Sequence, residues 1–124
     1  MICLDTNYLI RGLVSGSVEA GRLIEWARRG ETLVAPAVVW YEFLCGPVSP
    51  VQVETMRAFL HDVVAFDRTQ AVEAARLFNM MGRPRRLRVD VLIASAAIVL
   101  GASLATDNQA DFSGFVVHGL KLLE

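Results

Sequence analysis

The stretch Met1-Ile2-Cys3-Leu4-Asp5-Thr6-Asn7 decides how the rest of the chain is read. An apolar run this short is no secretory h-region; it reads instead as the opening strand of a buried sheet. Asp5 then stands where that strand stops. In open α/β sheets ligands gather beyond the carboxyl ends of the strands, where the chain leaves the hydrophobic layer, so chemistry is expected at Asp5.

Outward from that strand, Tyr8, Leu9, Ile10, Leu13 and Val14 recur at helical spacing until Ser15-Gly16-Ser17 breaks the pattern. Val18 to Arg29 predicts a second amphipathic helix closed by Gly30, and Thr32 to Ala35 a short strand. Pro36 suits the first turn of a helix that continues through Val38–Cys45 to Gly46-Pro47. Ser49-Pro50 opens a helix through His61, and Val63 to Phe66 reads as a strand. Asp67 with Gln70 resembles a capping box at the head of a helix reaching Met81. After Gly82-Arg83-Pro84, the small and apolar residues from Val89 predict the most buried helix, ended by Gly101. Ala102 to Ala105 predicts a strand, Thr106 to Phe112 a polar loop or short helix, and Phe115 to His118 the last strand. Strands alternating with helices require crossovers, and these give a parallel sheet with helices on both faces. The expected fold class is α/β, a three-layer sandwich with a central parallel sheet of four to five strands, in one domain over residues 1–124.

Composition narrows the classes of function. Hydrophobic residues make up 54% and charged ones 20%, enough for a core and a further apolar face that favours a partner subunit. The longest apolar run, Val91 to Leu100, is about half the ~20 residues of a membrane span, so no membrane segment is expected. Cys3 and Cys45 fit neither a zinc spacing nor a disulfide framework and read as buried reduced thiols of a cytoplasmic protein. With a formal net charge of −1, the chain as a whole does not steer itself to nucleic acid. Any phosphate binding needs a local basic patch, for which Arg83, Arg85, Arg86 and Arg88 around Pro84 are the candidate and a solvated loop the plain alternative.

Four acidic places map near the carboxyl edge of the expected sheet: Asp5, Glu42 in an apolar helix that looks largely covered, Asp90 opening the buried helix, and Asp107 with Asp111 after the fourth strand. Each alone has a bland reading as a cap, a turn or a solvent-facing acid. Together, with no cation placed beside them by the sequence, they would repel one another and raise each other's pKa values. A divalent cation resolves that conflict, and hard oxygen donors without histidine or cysteine at ligand spacing argue for Mg2+ or Mn2+. Such an ion bridges phosphate oxygens and activates water, so phosphodiester hydrolysis is the natural reaction. His61 and His118 would need to share one site to act as acid and base, and no motif joins them.

Leu4-Asp5-Thr6-Asn7, the Glu42 helix ending at Gly46, Asp90-Val91-Leu92-Ile93-Ala94-Ser95-Ala96-Ala97 and Leu104 to Phe112 resemble, in order and spacing, the PIN-domain ribonucleases, most of all the VapC-type toxins of toxin–antitoxin modules. The resemblance implies a PIN-like sandwich with Phe115 to Leu122 as its final strand segment. It implies an acidic site of Asp5, Glu42 and Asp90, completed from the Thr106–Asp111 region by Asp107, Asn108 or Asp111, with Thr6, Asn7 and Thr106 in support. Arg85, Arg86 and Arg88 are the candidate RNA contacts. It further implies a Mg2+- or Mn2+-dependent endoribonuclease, a cognate antitoxin that masks the site, and a homodimer. Two alternatives stand beside it: a catalytically inactive PIN-like protein-binding module, and a phospho-receiver domain with Asp67 as phosphoacceptor, which leaves Glu42 and Asp90 unexplained.

Overall fold

A computed structural model describes residues 1–124. Five strands, β1 (Ile2–Leu4), β2 (Leu33–Pro36), β3 (Asp62–Val64), β4 (Ser103–Ala105) and β5 (Lys121–Leu123), form one parallel sheet in the order β3-β2-β1-β4-β5. Seven helices flank it: α1 (Thr6–Arg11), α2 (Val18–Arg28), α3 (Ala37–Cys45), α4 (Pro50–Phe59), α5 (Arg68–Met80), α6 (Arg88–Leu100) and α7 (Gln109–Phe112). This is the expected α/β sandwich. β1 lies at its centre, with every residue buried, and burial pushes the Cys3 thiol up to about 12, with the Asp5 charge adding to the effect.

The helices begin where the sequence supplies caps. Ser49 and Gln52 form a reciprocal capping box at α4, and the Asp67 carboxylate accepts the Gln70 N–H at 2.9 Å, which settles Asp67 as the cap of α5. In α6, Val91 and the run Ile93–Ala97 are buried, the alanines admitting close approach to the sheet. Gly101 ends this helix at φ 66, a conformation that costs glycine little. No helix is long and apolar enough to cross a membrane.

Four expectations need correction. Phe115–His118 is not a strand; it lies in a 3-10 turn over Ser113–His118, and the last strand follows at Lys121–Leu123. Phe115 is wholly buried and packs on Phe112 at 6.0 Å between ring centroids, whereas Val117 is 82% exposed, so this β-branched run has no two-sided burial to make it a strand. The third strand runs over Asp62–Val64 rather than to Phe66, because register with Val34–Pro36 sets its limits. Helix α3 is only half covered: Val39 and Phe43 are buried while Tyr41 and Leu44 face solvent. Finally, Cys45 is exposed, not buried.

Candidate active site

Asp5 leaves the sheet at the end of its central strand. Pairing of Leu4 with Ala105, and the bond from Asp5 N to Ala105 O at 3.0 Å, bring Thr106 across from the far end of the chain. The Asp5 carboxylate is nearly buried and well held. Its Oδ1 accepts the Thr6 N–H at 2.7 Å, which makes it the cap of α1, and its Oδ2 accepts the Thr106 hydroxyl at 2.6 Å. Thr106 Oγ1 in turn accepts the Asn108 N–H at 2.9 Å, so this hydroxyl is committed on both sides.

The supporting residues divide their work. Thr6 sends its hydroxyl to Glu42 Oε1 at 2.8 Å, joining α1 to α3 and bringing the second carboxylate in. Asn7 reaches Asp5 only at 3.5 Å but accepts the Asp107 N–H on its Oδ1 at 3.3 Å, tying the loop after β4 to α1. Asp90 enters from the first turn of α6. Burial, followed by the charges of Asp5, Asp111 and Glu42, pushes its carboxyl up from 3.8 to about 6, against a small opposing pull from Arg86. Asp5 is likewise raised, first by burial and further by Glu42 and Asp107, while its bonds from Thr106 and Thr6 hold it back. Carboxylates contributed by four separate elements therefore sense one another at a single edge of the sheet.

The region after β4 sorts itself. Asp111 in α7 takes part in the cluster, its Oδ2 accepting from Asn108 Nδ2 at 2.9 Å and its Oδ1 lying 3.3 Å from Arg86 Nη1. Asn108 thus positions Asp111. Asp107 is exposed and turned toward α1 and α2: burial raises its carboxyl, Glu19 adds to this, and Arg11 and Arg22 oppose it. The Arg86–Asp111 pair corrects the expectation that no cation stands beside the acids; the two meet only because the turn before α6 folds against α7. Of the expected RNA contacts, Arg86 alone reaches the cluster. Arg85 is exposed, and Arg88 lines an apolar groove with Phe66, Phe78, Val91 and Leu92.

Sequence reasoning missed a second polar group beside the first. Arg11 Nε binds Glu19 Oε1 at 2.8 Å, and Arg22 Nη1 donates to the Tyr8 hydroxyl at 2.8 Å. Glu19 is 5% exposed although it sits in the first turn of an amphipathic helix, where an acid ordinarily faces solvent. Nothing local in the sequence signals this group, because Tyr8 and Arg11 on α1 find their partners Arg22 and Glu19 on α2. The histidines do not meet. His61 Nδ1 accepts the Leu33 N–H at 3.0 Å, at the amino-terminal edge of the sheet beside β3, while His118 precedes β5 at the opposite end of the strand order. The roomiest surface hollow, about 540 Å³ around Arg57, His61 and Asp62, belongs to that same amino-terminal edge and contains none of the clustered acids.

Hard oxygen donors that repel one another match a divalent cation in type and charge. No three His, Cys, Asp or Glu side chains already stand as a group able to hold a metal ion, so the carboxylates would have to draw together on one.

Comparison with known proteins agrees with this architecture. Among solved structures, the chain is similar to VapBC2 from Rickettsia felis bound to a DNA fragment from their promoter, with a TM-score of 0.78, 21% identity, and coverage of 99% of this chain and 98% of that one. It is also similar to a toxin–antitoxin complex from Klebsiella pneumoniae (TM-score 0.67, 23% identity, 92% of each chain). FitAcB from Neisseria gonorrhoeae gives a TM-score of 0.69 at 18% identity, covering 99% of this chain and 97% of that one. No curated protein matches it in sequence. The PIN domain family matches residues 2–114, a span that holds all the carboxylates described above, and the chain belongs to that family.

Proposed function

We propose that this chain is a metal-dependent endoribonuclease, the VapC-type toxin of a toxin–antitoxin pair. One observation carries the reading: Asp5, Glu42, Asp90 and Asp111, from four different elements, gather at the carboxyl edge of the sheet, Thr6 and Thr106 tying Asp5 and Glu42 together and Asn108 holding Asp111, and the charges of Asp5, Glu42 and Asp111 add to the burial that raises Asp90. Acids crowded in this way mark functional sites, and a divalent cation that they could share suits phosphoryl chemistry.

Asp5, Glu42 and Asp90 would hold Mg2+ or Mn2+, with Asp111 completing the set and Asn108 fixing it; Asp107 stands at the margin. A bound ion of this kind supplies a Lewis acid to the phosphodiester and makes an attacking water more acidic. The chain's own residues do the positioning. Thr106 and the Thr6 amide lock the Asp5 rotamer, Thr6 aims Glu42, and Arg86, held beside Asp111, is the nearest guanidinium to take a phosphate oxygen. The toxin assignment draws on the toxin–antitoxin complexes among the structures of like fold. It implies a cognate antitoxin that masks the carboxylates, a homodimer through the exposed apolar surface, and work in the cytoplasm on RNA.

The purified protein should cleave single-stranded or loop RNA with Mg2+ or Mn2+, stop in EDTA, and be inactive as Asp5→Asn or Asp90→Asn. Cleavage undiminished by EDTA would remove the metal from the reaction.

A further inference from the structure

The cluster of acids presents a difficulty for any polyanionic substrate. Four carboxylates repel a phosphate backbone, the chain's net charge of −1 offers no compensating field, and Arg86 stands on the α6 side only. On the other flank of Asp5 lies the polar group built on α1 and α2. Arg11 spends only its Nε on Glu19 and Arg22 only one terminal nitrogen on Tyr8. Every other N–H of both guanidinium groups is uncommitted.

The anchors matter as much as the cations. Glu19 is 5% exposed and Tyr8 1%, so each arginine is tethered to a partner that cannot move with solvent, while the Arg11 side chain itself remains 57% exposed. A buried carboxylate paired with one exposed guanidinium contributes little to stability beyond what an apolar residue of similar size would give. It does fix the direction of the guanidinium, which lowers the entropy lost when a ligand binds. Asp107, whose N–H is bonded to Asn7 and whose carboxylate is within electrostatic reach of Arg11, Arg22 and Glu19, is the element that links this group to Asp5.

Resting on the ribonuclease reading, we infer that Arg11 and Arg22 are a preorganised backbone-binding pair that grips RNA phosphates on the α1–α2 flank, opposite Arg86, so that the strand crosses the carboxylates between two cationic supports. Planar guanidinium forks match phosphate oxygens, and RNA is the substrate whose repulsion these cations would offset. Asp107 tempers the pair and competes with phosphate for it.

The test measures anisotropy of a short fluorescein-labelled single-stranded RNA, titrated in EDTA over a range of NaCl, in an Asp90→Asn background where cleavage is silent. Arg22→Gln removes no charge that pairs a buried one, since the Tyr8 hydroxyl is neutral, and Arg11→Gln combined with Glu19→Gln leaves no buried charge unpaired, so neither variant depends on a disrupted core. Each should bind about tenfold more weakly at low salt, as expected for one charge-assisted contact. Each should also lower the slope of log K against log [salt] by about 0.7, one released counterion on a single strand. Asp107→Asn should shift affinity the other way. With Asp90 intact and Mn2+ present, the arginine variants should raise KM and leave kcat nearly unchanged. Unchanged affinity and slope in both arginine variants, in a protein that still cleaves RNA with metal, would overturn this assignment alone; a protein that neither binds nor cleaves RNA would overturn it together with the nuclease reading.

Discussion

Replacing Asp90 by Asn should make the metal-free protein more stable, and by an amount that depends on pH. The Asp90 carboxyl is raised from 3.8 to about 6, a difference that corresponds to about 3 kcal/mol between its charged and neutral forms. Between those two pH values the folded chain keeps a proton that the unfolded chain has lost. Wild-type stability therefore falls as pH rises through that window and levels off above it. A neutral amide at this position carries no such cost. Asp90 is only partly buried, so solvent screening reduces the figure, and loss of a favourable charge at the α6 N-terminus takes back about 0.5 kcal/mol. A net gain of about 1–2 kcal/mol at pH 7.5 remains, roughly 3–8 °C in Tm for a chain of this size. At pH 4 the two proteins should melt together. Millimolar Mn2+ should reverse the order at pH 7.5, because a ligand of the folded state stabilises by RT ln(1 + [L]/Kd) and the variant has lost a ligand. Thermal melts from pH 4 to 8, with EDTA and with Mn2+, measure all of this. An Asp90→Asn variant less stable than wild type in EDTA at pH 7.5, or a difference independent of pH, would refute the account of mutual repulsion.

Two further substitutions probe how the site is held. Thr106→Val removes the 2.6 Å hydroxyl bond to the nearly buried Asp5 carboxylate and should cost about 1–3 kcal/mol in urea unfolding; an unchanged midpoint would mean that the bond does not hold Asp5. Gly12→Ala would place a Cβ 2.4 Å from both Leu23 Cδ1 and the Tyr8 carbonyl oxygen. Overpacking of that kind should cost about 1–3 kcal/mol, and a variant that melts with wild type would show that α1 and α2 have room to part.

The parts of the fold legible in the sequence are those governed by local chemistry. Asp67 before Gln70, Ser49-Pro50 and Gly101 mark helix ends through bonds that span three or four residues, and the helices begin and end near them. Asp5 and Asp90 were legible because each sits at an element boundary. Phe115–His118 misled because apolar β-branched composition is shared by a strand and by a turn buried on one side, and only the register of β4 with Lys121–Leu123 separates the two. Glu19, Arg22 and the Arg86–Asp111 contact lay beyond reach for a similar reason. Periodicity assigns a face to a helix but does not say which neighbouring element covers it, and these side chains find their partners across helices. Asp107 and Asp111 differ by the same kind of tertiary fact, Asp107 lying within electrostatic reach of Asp5, Glu19, Arg11 and Arg22 and Asp111 beside Arg86 and Asp90.

The strand order β3-β2-β1-β4-β5 has a consequence for the nascent chain. β1 is synthesised about a hundred residues ahead of one of its two neighbours, β4 at residues 103–105, and Asp5 has no Thr106 until that strand docks. An N-terminal fragment lacking β4 can bury helices against one another but has no completed acidic site, because Asp111 and the hydroxyl that holds Asp5 are still missing. On the toxin reading, an enzyme built this way is harmless while it is being translated. It becomes competent only when the stretch carrying β4 and α7 has left the ribosome, and loss of that segment by proteolysis would return it to silence.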